Sequence, residues 1–465
     1  MAIAIDREMA GDINNPSLEL INYCLEEHEN EIPRLNVLFD YYDGKPHKID
    51  QTPKDTPHDR DEIYVNNAKY VTDMMTGFMI GNPIAYSGTQ GKDIQPLIDA
   101  LKKMKISKHD TELEKGLSAM GVGYELHYLS VTEDAVIPKV AWIDPRGMML
   151  VVDDTVERTP LFAIRPREKQ KIDRSTYWEI TVYTSLWIII YKSETKKLSW
   201  DKLLNNPSVK ENLYNAVPVI EFRNNEEKQG DYEQQLSQID AYNLLQTDRI
   251  KDKKNFVKAL MILYGFTLPD EKPAEINGSM VLNAPSKEDG GSAEFVTNTF
   301  QESEVQVLAD ALLDDFHKTT YIPNLNDENF AGTQSGEAMK FKLLGLLLAL
   351  SVKTSYFEDG VRQRLNLISN ILNIKGKNVD AEDIEVKFKV NLPFNRKDVL
   401  EQIKESMDFV PLLISLGWLD DVDNPQEVID MLKEQKIENL KLQAKAWGVQ
   451  AEDSHSDLDD ESTEG

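Results

Sequence analysis

Cysteine is almost absent: Cys24 is the single one in 465 residues. No disulfide can form within one chain, and a reducing compartment is the expectation. Long apolar runs are missing too. The longest, 343–352, lies between Lys342 and Lys353 and falls well short of the roughly 18 to 20 residues that a membrane span needs, so it reads as buried helix. Residues 1–10 carry acids and no apolar stretch, so no secretory signal is expected. No glycine-rich loop ends in Gly-Lys-Ser/Thr. Gly88-Thr89-Gln90-Gly91-Lys92-Asp93 only grazes that pattern, without its spacing or its hydroxyl. The seven histidines are scattered, with neither a His-Glu-x-x-His pair nor a cysteine partner for zinc. Asp153-Asp154 and Asp327-Glu328 read as turn acids rather than metal ligands. Nothing groups a nucleophile, a base and an orienting residue. The expectation is a protein that is not an enzyme and that holds no cofactor and no metal.

Acids are what the chain has in excess: 80 against 52 Lys and Arg, a formal net charge of −28. Such a chain repels nucleic acid at long range unless its bases are gathered somewhere. Two readings stay open at this point. The charge is either ordinary solubility or a wall past which phosphates slide without sticking. With 41% apolar and 28% charged residues, the chain is long enough for two or three units, each with its own core.

The order of patterns is helix, strands, helix, small strands, helix. Leu18, Ile21, Leu25 and Ile32 predict a first helix, followed by a loop with Pro46, Pro53 and Pro57. Tyr70, Val71, Met74, Met75 and Phe78 predict a helix over 63–80, stopped by Gly81-Asn82-Pro83 with Gly81 as a left-handed cap. One helix is expected over 94–120. From 124 to 222, β-branched and aromatic runs predict an antiparallel strand-rich domain, with strands at 124–131, 139–143, 148–152, 161–165, 178–191 and 217–222. A long helix is expected over 232–264. Its middle, 247–255, has Ile250 as its one apolar residue, so within one chain it is either solvated or weakly packed against neighbours. Short strands at 278–282 and 293–296 follow. A return helix then opens on Thr299 and Glu302 as a capping box, with Val305, Leu308, Leu312 and Phe316 on one face. A long helix over 337–374, with Ser335 as its N-cap, is apolar nearly all round in its first half. Beyond it a strand over 384–392 and two helices are expected, the last opening on Asn424 and Pro425. The tail 451–465 holds seven acids and no Lys or Arg and reads as disordered.

Five stretches occur in order. The first is Val65-Asn66-Asn67-Ala68-Lys69-Tyr70 through Asp73 to Gly77-Phe78-Met79-Ile80-Gly81-Asn82-Pro83-Ile84. Gly121-Val122-Gly123-Tyr124-Glu125-Leu126, Ile143-Asp144-Pro145-Arg146, Asp327-Glu328-Asn329-Phe330 and Ser335-Gly336-Glu337-Ala338-Met339-Lys340 follow. Together they resemble the portal proteins of tailed bacteriophages, those of siphophages of Gram-positive hosts. The resemblance covers roughly 60–400.

That resemblance implies an α+β portal-like fold with long stem helices, a β-rich wing, a small α/β clip and a helical crown, assembled as a ring of about twelve copies. It implies an N-terminal segment 1–60, a wing over 61–231, stem helices at 232–264 and 301–322, and a clip at 265–300. A tunnel loop at 323–336, a long bracing helix at 337–375, a wing return strand and linker at 376–405, a crown at 406–450 and the acidic tail follow. The tunnel loop would bring Asn324, Asn326, Asp327, Glu328, Asn329, Phe330, Thr333, Gln334 and Ser335 near passing DNA. Arg249, Lys251, Lys253 and Lys254 are the candidate channel cations of the stem. The implied role is a conduit for double-stranded DNA at the unique capsid vertex of the virion, in packaging and ejection. Its implied partners are further copies of itself, the terminase packaging motor, the head-completion adaptor, and the scaffolding and major capsid proteins, with no membrane. The rival readings are another head-vertex or adaptor protein, or an acidic hydrolase whose site the sequence does not reveal.

Overall fold

The computed structural model describes residues 2–45, 63–89, 92–131, 136–257, 260–264, 275–276, 279–284, 292–296, 302–325, 341–391, 401, 403–406, 410–416, 419 and 425–446; over 254–296 the description is of the backbone. They fall into two compact units, one of 1–333 with 340–391 and one of 334–339 with 392–465.

The first unit opens on β1 (Ile3–Ile5), the one-turn helix α1 (Arg7–Ala10) and α2 (Leu18–Asp43). Ser17 caps α2 by accepting the Leu20 amide, and Gly44 ends it in the left-handed region at φ 70°. α3 (Asn67–Ile80) starts where Asn66 accepts the Lys69 amide at 2.9 Å, four residues later than the apolar spacing predicts. Gly81 is not the left-handed cap expected of it: φ −58° is right-handed. Glycine is needed there for space, because a Cβ would collide with the Gly77 carbonyl and the Asn391 side chain. β2 (Ala85–Gly88) follows.

The single helix expected over 94–120 is two, α4 (Gln95–Met104) and α5 (Ile106–Met120). Lys105, left-handed at φ 57°, turns the chain between them. The break lets Leu97 and Leu101 of α4 and Leu113 and Leu117 of α5 all reach the interior.

β3 (Val122–Val131), β4 (Val136–Ile143) and β10 (Val219–Arg223) make a three-stranded sheet in the order β10-β3-β4. Between them in sequence run β5 (Met149–Asp153), β6 (Pro160–Gln170), β7 (Thr176–Tyr183), β8 (Trp187–Ser193) and β9 (Ser208–Glu211), which form a six-stranded sheet in the order β1-β5-β6-β7-β8-β9. The strand expected over 178–191 is a hairpin: Thr184 accepts the Trp187 amide on its hydroxyl at 2.8 Å and reverses the chain. The N-terminal residues join this sheet, since β1 runs parallel to β5. Ile5, Ile21, Cys24 and Leu25 cover one face of it, packing on Phe162, Ile164, Ile180, Val182 and Tyr191. Burial there pushes the Cys24 thiol up to about 12, so it stays an unreactive core group.

The helix expected over 232–264 ends earlier. α6 covers Leu236–Val257, and 260–264 is β11 (Leu260–Tyr264), the second inner strand of a small sheet. That sheet runs β12-β13-β11-β14, with β12 (Glu275–Ile276), β13 (Ser279–Ala284) and β14 (Ser292–Val296). Leu-Met-Ile-Leu-Tyr has an apolar run compatible with either structure, and pairing with β13 and β14 decides it. α7 (Glu302–Thr320) returns from the sheet. Thr299, its expected cap, lies outside the described residues. Ala309, Phe316 and Thr320 are its buried positions, whereas Leu308, expected on the inner face, is 51% exposed. α8 (Leu344–Ile374) is the long helix, and β15 (Ile384–Lys387) pairs antiparallel with β2. In the second unit, α9 (Leu412–Leu416) and α10 (Pro425–Ala446) are described. α10 begins at Pro425 as the sequence predicts, and its Met431, Ile437, Leu440 and Leu442 are exposed. The acidic tail 451–465 lies outside the described residues.

Candidate functional site

α6 and α7 lie antiparallel. Gln238 near the start of α6 accepts a hydrogen bond from Thr319 near the end of α7, and Arg249 further along α6 meets Glu302 at the start of α7. The small sheet closes one end of the pair. The polar middle of α6 has a role inside the chain. Asn243 and Thr247, both buried, accept the amides of Val65 and Ile63 at 2.9 and 3.1 Å. Tyr41 donates to Asp240 on the same helix at 2.7 Å. An extended segment that has no sheet to join therefore has its amides satisfied by the helix beside it. Elsewhere the pair is open. Leu244 on α6 is 40% exposed, and Val307 on α7 is 69% exposed.

Two of the four candidate stem cations are engaged. Glu302 binds Arg249 and also Lys253, the latter at 3.2 Å, so one carboxylate at the start of α7 holds two cations of α6. These bonds hold the Glu302 carboxyl below the usual range. Lys251, two residues from Arg249 and from Lys253, is half-buried. Lys254 belongs to α6, but its side chain lies outside the described residues. Of the loop candidates, Asn324 is described. Asn326, Asp327, Glu328, Asn329, Phe330, Thr333, Gln334 and Ser335 lie outside the described residues.

The two roots of that loop meet. Tyr321, left-handed at φ 59°, ends α7, and its ring lies where a Cβ on Gly345 would touch it at 3.6 Å. Ile322 is fully buried. Its carbonyl bonds His317 Nδ1 at 2.9 Å, and the Pro323 carbonyl accepts from the Tyr70 hydroxyl of α3 at 3.2 Å. The excursion from 322 to 344 thus starts and ends at one anchored point. A cleft of about 510 Å³ lies beside this point, lined by Met75, Gln229, Tyr321, Leu348 and Val352 among others. Its charged lining residues, Asp231 and Lys353, are bonded to each other at 2.5 Å, so it gathers no free acid and base as a hydrolase would need.

α8, which carries the far root, is held by two buried charge clusters that sequence reasoning missed. Lys353 lies 2.5 Å from both Glu114 of α5 and Asp231. Three turns on, Arg364, with no exposed surface, reaches Glu125 of β3 at 2.6 Å and Asp110 of α5 at 2.7 Å. His109 and His127 add their ring nitrogens to Glu125 at 2.6 and 2.8 Å. Burial pushes Glu125 up, but Arg364 and the histidines outweigh it and leave the carboxyl well below the usual range. Asp110, burial dominating, is raised. Between the clusters Phe357 and Gly360 meet the Phe222 ring of β10, with Phe222 and Phe357 centroids 5.1 Å apart. Lys353, Phe357, Gly360 and Arg364 are one face of the helix. The signal was available: two cations on the same stripe as Phe357, Val361 and Ile368, and acids at i, i+4 in α5 and alternating with His127 in β3.

Among the described residues no group of His, Cys, Asp and Glu is placed to hold a metal ion. No described helix is long and apolar enough to cross a membrane.

Comparison with known sequences bears on the same elements. The family model described as phage portal protein, SPP1 Gp6-like, matches residues 21–442. The portal protein of Bacillus phage SPP1 is 21% identical over 378 residues, 77% of this chain and 73% of the relative. The portal protein of Clostridium phage phiCD119 is 24% identical over 237 residues, 49% of this chain and 51% of the relative.

Proposed function

Since the chain belongs to the SPP1 Gp6-like family of phage portal proteins, a family of structural, non-enzymatic virion proteins of the capsid vertex that serve DNA packaging, we propose that copies of it close into a ring whose hole passes double-stranded DNA. The observation that carries this reading is an apolar face that the described part of one chain leaves bare. Phe341, Leu344, Leu348 and Val352 are 77%, 50%, 62% and 58% exposed and recur at helical spacing on one side of α8 and the residues just before it. Val307 and Leu308 of α7 are bare as well. Burying a side chain of that size is worth about 1.5–3 kcal/mol. Two different faces of one subunit meeting each other is the head-to-tail contact that closes into a ring.

In this reading 61–231 with β15 is the wing, and the α6–α7 pair is the stem. The small sheet, which includes β11, is the clip that docks the packaging motor and later the head-completion adaptor. The tunnel loop nearest the DNA is 323–336, and the long helix after it, α8, braces it. Residues 406–450, with α9 and α10, are the crown. Arg249 and Lys253, both held by Glu302, tie the stem helices together before they contact any phosphate. About twelve copies are expected, assembled with scaffolding and major capsid protein.

Negative-stain imaging of the purified protein tests the ring; particles without an axial hole wide enough for a duplex would overturn it. Deleting Asn324 to Thr333 tests the loop. Because Tyr321 and Gly345 already lie together, rings should persist while packaging or retention of DNA fails. Normal packaging by that deletion would remove the loop from the function.

A further inference from the structure

The chain as a whole is acidic, yet residues 158–174 carry six Lys and Arg against two acids, and sheet register gathers part of that charge on one face. On β6, Arg165, Arg167 and Lys169 alternate, so they share a side. Directly across, Arg167 pairs with Glu179 of β7, which pairs with Lys192 of β8. Arg165 leads through Thr181 and Ile190 to Ser208 of β9. Ala163 leads through Tyr183 and Ile188 to Lys210, and Lys169 stands beside Tyr177. These four rows hold five cations and one acid, a balance of +4. Glu179 is 8% exposed and bonds Arg167 and, at 2.9 Å, Lys169. Glu168 and Glu211 belong to the opposite face, opposite Trp178 and Trp187. Arg167 and Lys169 keep 38% of their side chains exposed, and Lys210 is exposed. The face opposite, with Phe162, Ile180 and Tyr191, is core; on the charged face Ala163, Thr181 and Tyr183 are buried too, so its open part is the Arg167 and Lys169 end and the β9 edge.

We infer that this face of the six-stranded sheet is a binding surface for the phosphate backbone of double-stranded DNA, separate from the central helices. The inference rests on the portal reading for the presence of DNA. Arg167, Glu179 and Lys192 make one charged row across three strands, beside Thr181 and Ile190, so the surface lacks the continuous apolar core of a protein partner's interface. Around it stand Ser208 and Tyr177, hydroxyl groups of the kind that contact phosphates without reading sequence. Cations repeat at about 7 Å along a strand and about 5 Å between strands, a grid that a dense row of phosphates can meet in many registers. At physiological ionic strength screening acts within about 8 Å, so the local +4 outweighs distant acids once DNA is in contact.

A covalently closed circular duplex provides the test, because without an end it cannot thread a ring and reports outer surfaces alone. The full-length protein should retain such DNA at low salt, with affinity falling steeply as salt rises. Lys192→Glu with Lys210→Glu should weaken retention by more than about tenfold and flatten the salt slope by about two. Neither lysine is an ion-pair partner of Glu179, which bonds Arg167 and Lys169. Lys210→Glu alone, on the exposed edge strand, should weaken it in the same direction should the double variant fold poorly. Retention that is absent in the unaltered protein, or unchanged in the variants, overturns the inference. So does loss of poly-glutamate binding with DNA binding intact, which would make the surface one for acidic protein. Rings are scored separately by negative stain, so a failure of assembly is told apart from a failure of this face.

Discussion

Arg364 of α8 and Glu125 of β3, 239 residues apart in the chain, meet as a fork: Nε lies 3.0 Å from both carboxylate oxygens and Nη2 lies 2.6 Å from one. Both are fully buried. The pair joins the helix that carries the loop's far root to the sheet behind it. Arg364→Met should cost about 3–5 kcal/mol, since it strands a buried carboxylate. Arg364→Met with Glu125→Gln should cost less than the two single changes added together. Urea unfolding curves measure both.

Acid should loosen the same junction. Glu125 ionises in the folded chain well below the 4.5 of a free glutamate. Its stabilisation is therefore present above pH 4.5 and lost as the pH falls below it. Stability measured against pH should drop on that acid limb, and Glu125→Gln should flatten it. An equally steep limb in the variant would assign the loss to other groups.

The Lys353 cluster should show the opposite trend. Burial pushes Glu114 up to about 7, Lys353 pulling against it and Asp231 adding to it. A raised carboxyl contributes stability below 4.5 that disappears as the pH rises through 7. Glu114→Gln should match the unaltered protein near pH 4 and exceed it at pH 8 by roughly 3 kcal/mol. Lys353→Met should instead be destabilising at neutral pH, by about 3–5 kcal/mol.

Gly360 is a steric prediction. A Cβ there would collide with the Phe222 ring, so Gly360→Ala should cost about 1–3 kcal/mol by overpacking, despite alanine's better helix propensity. Phe222→Leu in the same chain should recover part of the loss in a thermal melt.

Glu302→Gln should change the unfolding midpoint little, because the side chain is partly exposed and its ion pairs are screened. It frees Arg249 and Lys253. In the ring, linear duplex should then bind more tightly and package more slowly; unchanged packaging would place these cations away from the DNA path.

Much of the architecture was legible along the chain. Helices with one apolar stripe, such as α3, and the strand-rich middle follow from period and from turn residues. So does the order of long helix, small sheet and return helix. Misreadings came where local pattern is ambiguous. The 260–264 run fits helix or strand until β13 and β14 flank it. A left-handed Lys105 has no local signature, and neither does the joining of Ile3–Ile5 to a strand nearly 150 residues away.

The sequence alone determined the kind and order of most elements, through the period of their apolar residues and the turn residues between them. It also carried the resemblance that fixed the family. Only the folded chain decided that the polar waist of α6 caps a neighbouring extended segment, that the loop's roots meet at Tyr321 and Gly345, and that Lys353 and Arg364 find their acids in the interior. These outcomes depend on which distant groups are brought within a few ångströms of each other. Desolvation makes such pairings decisive, and periodicity along one segment carries no information about them.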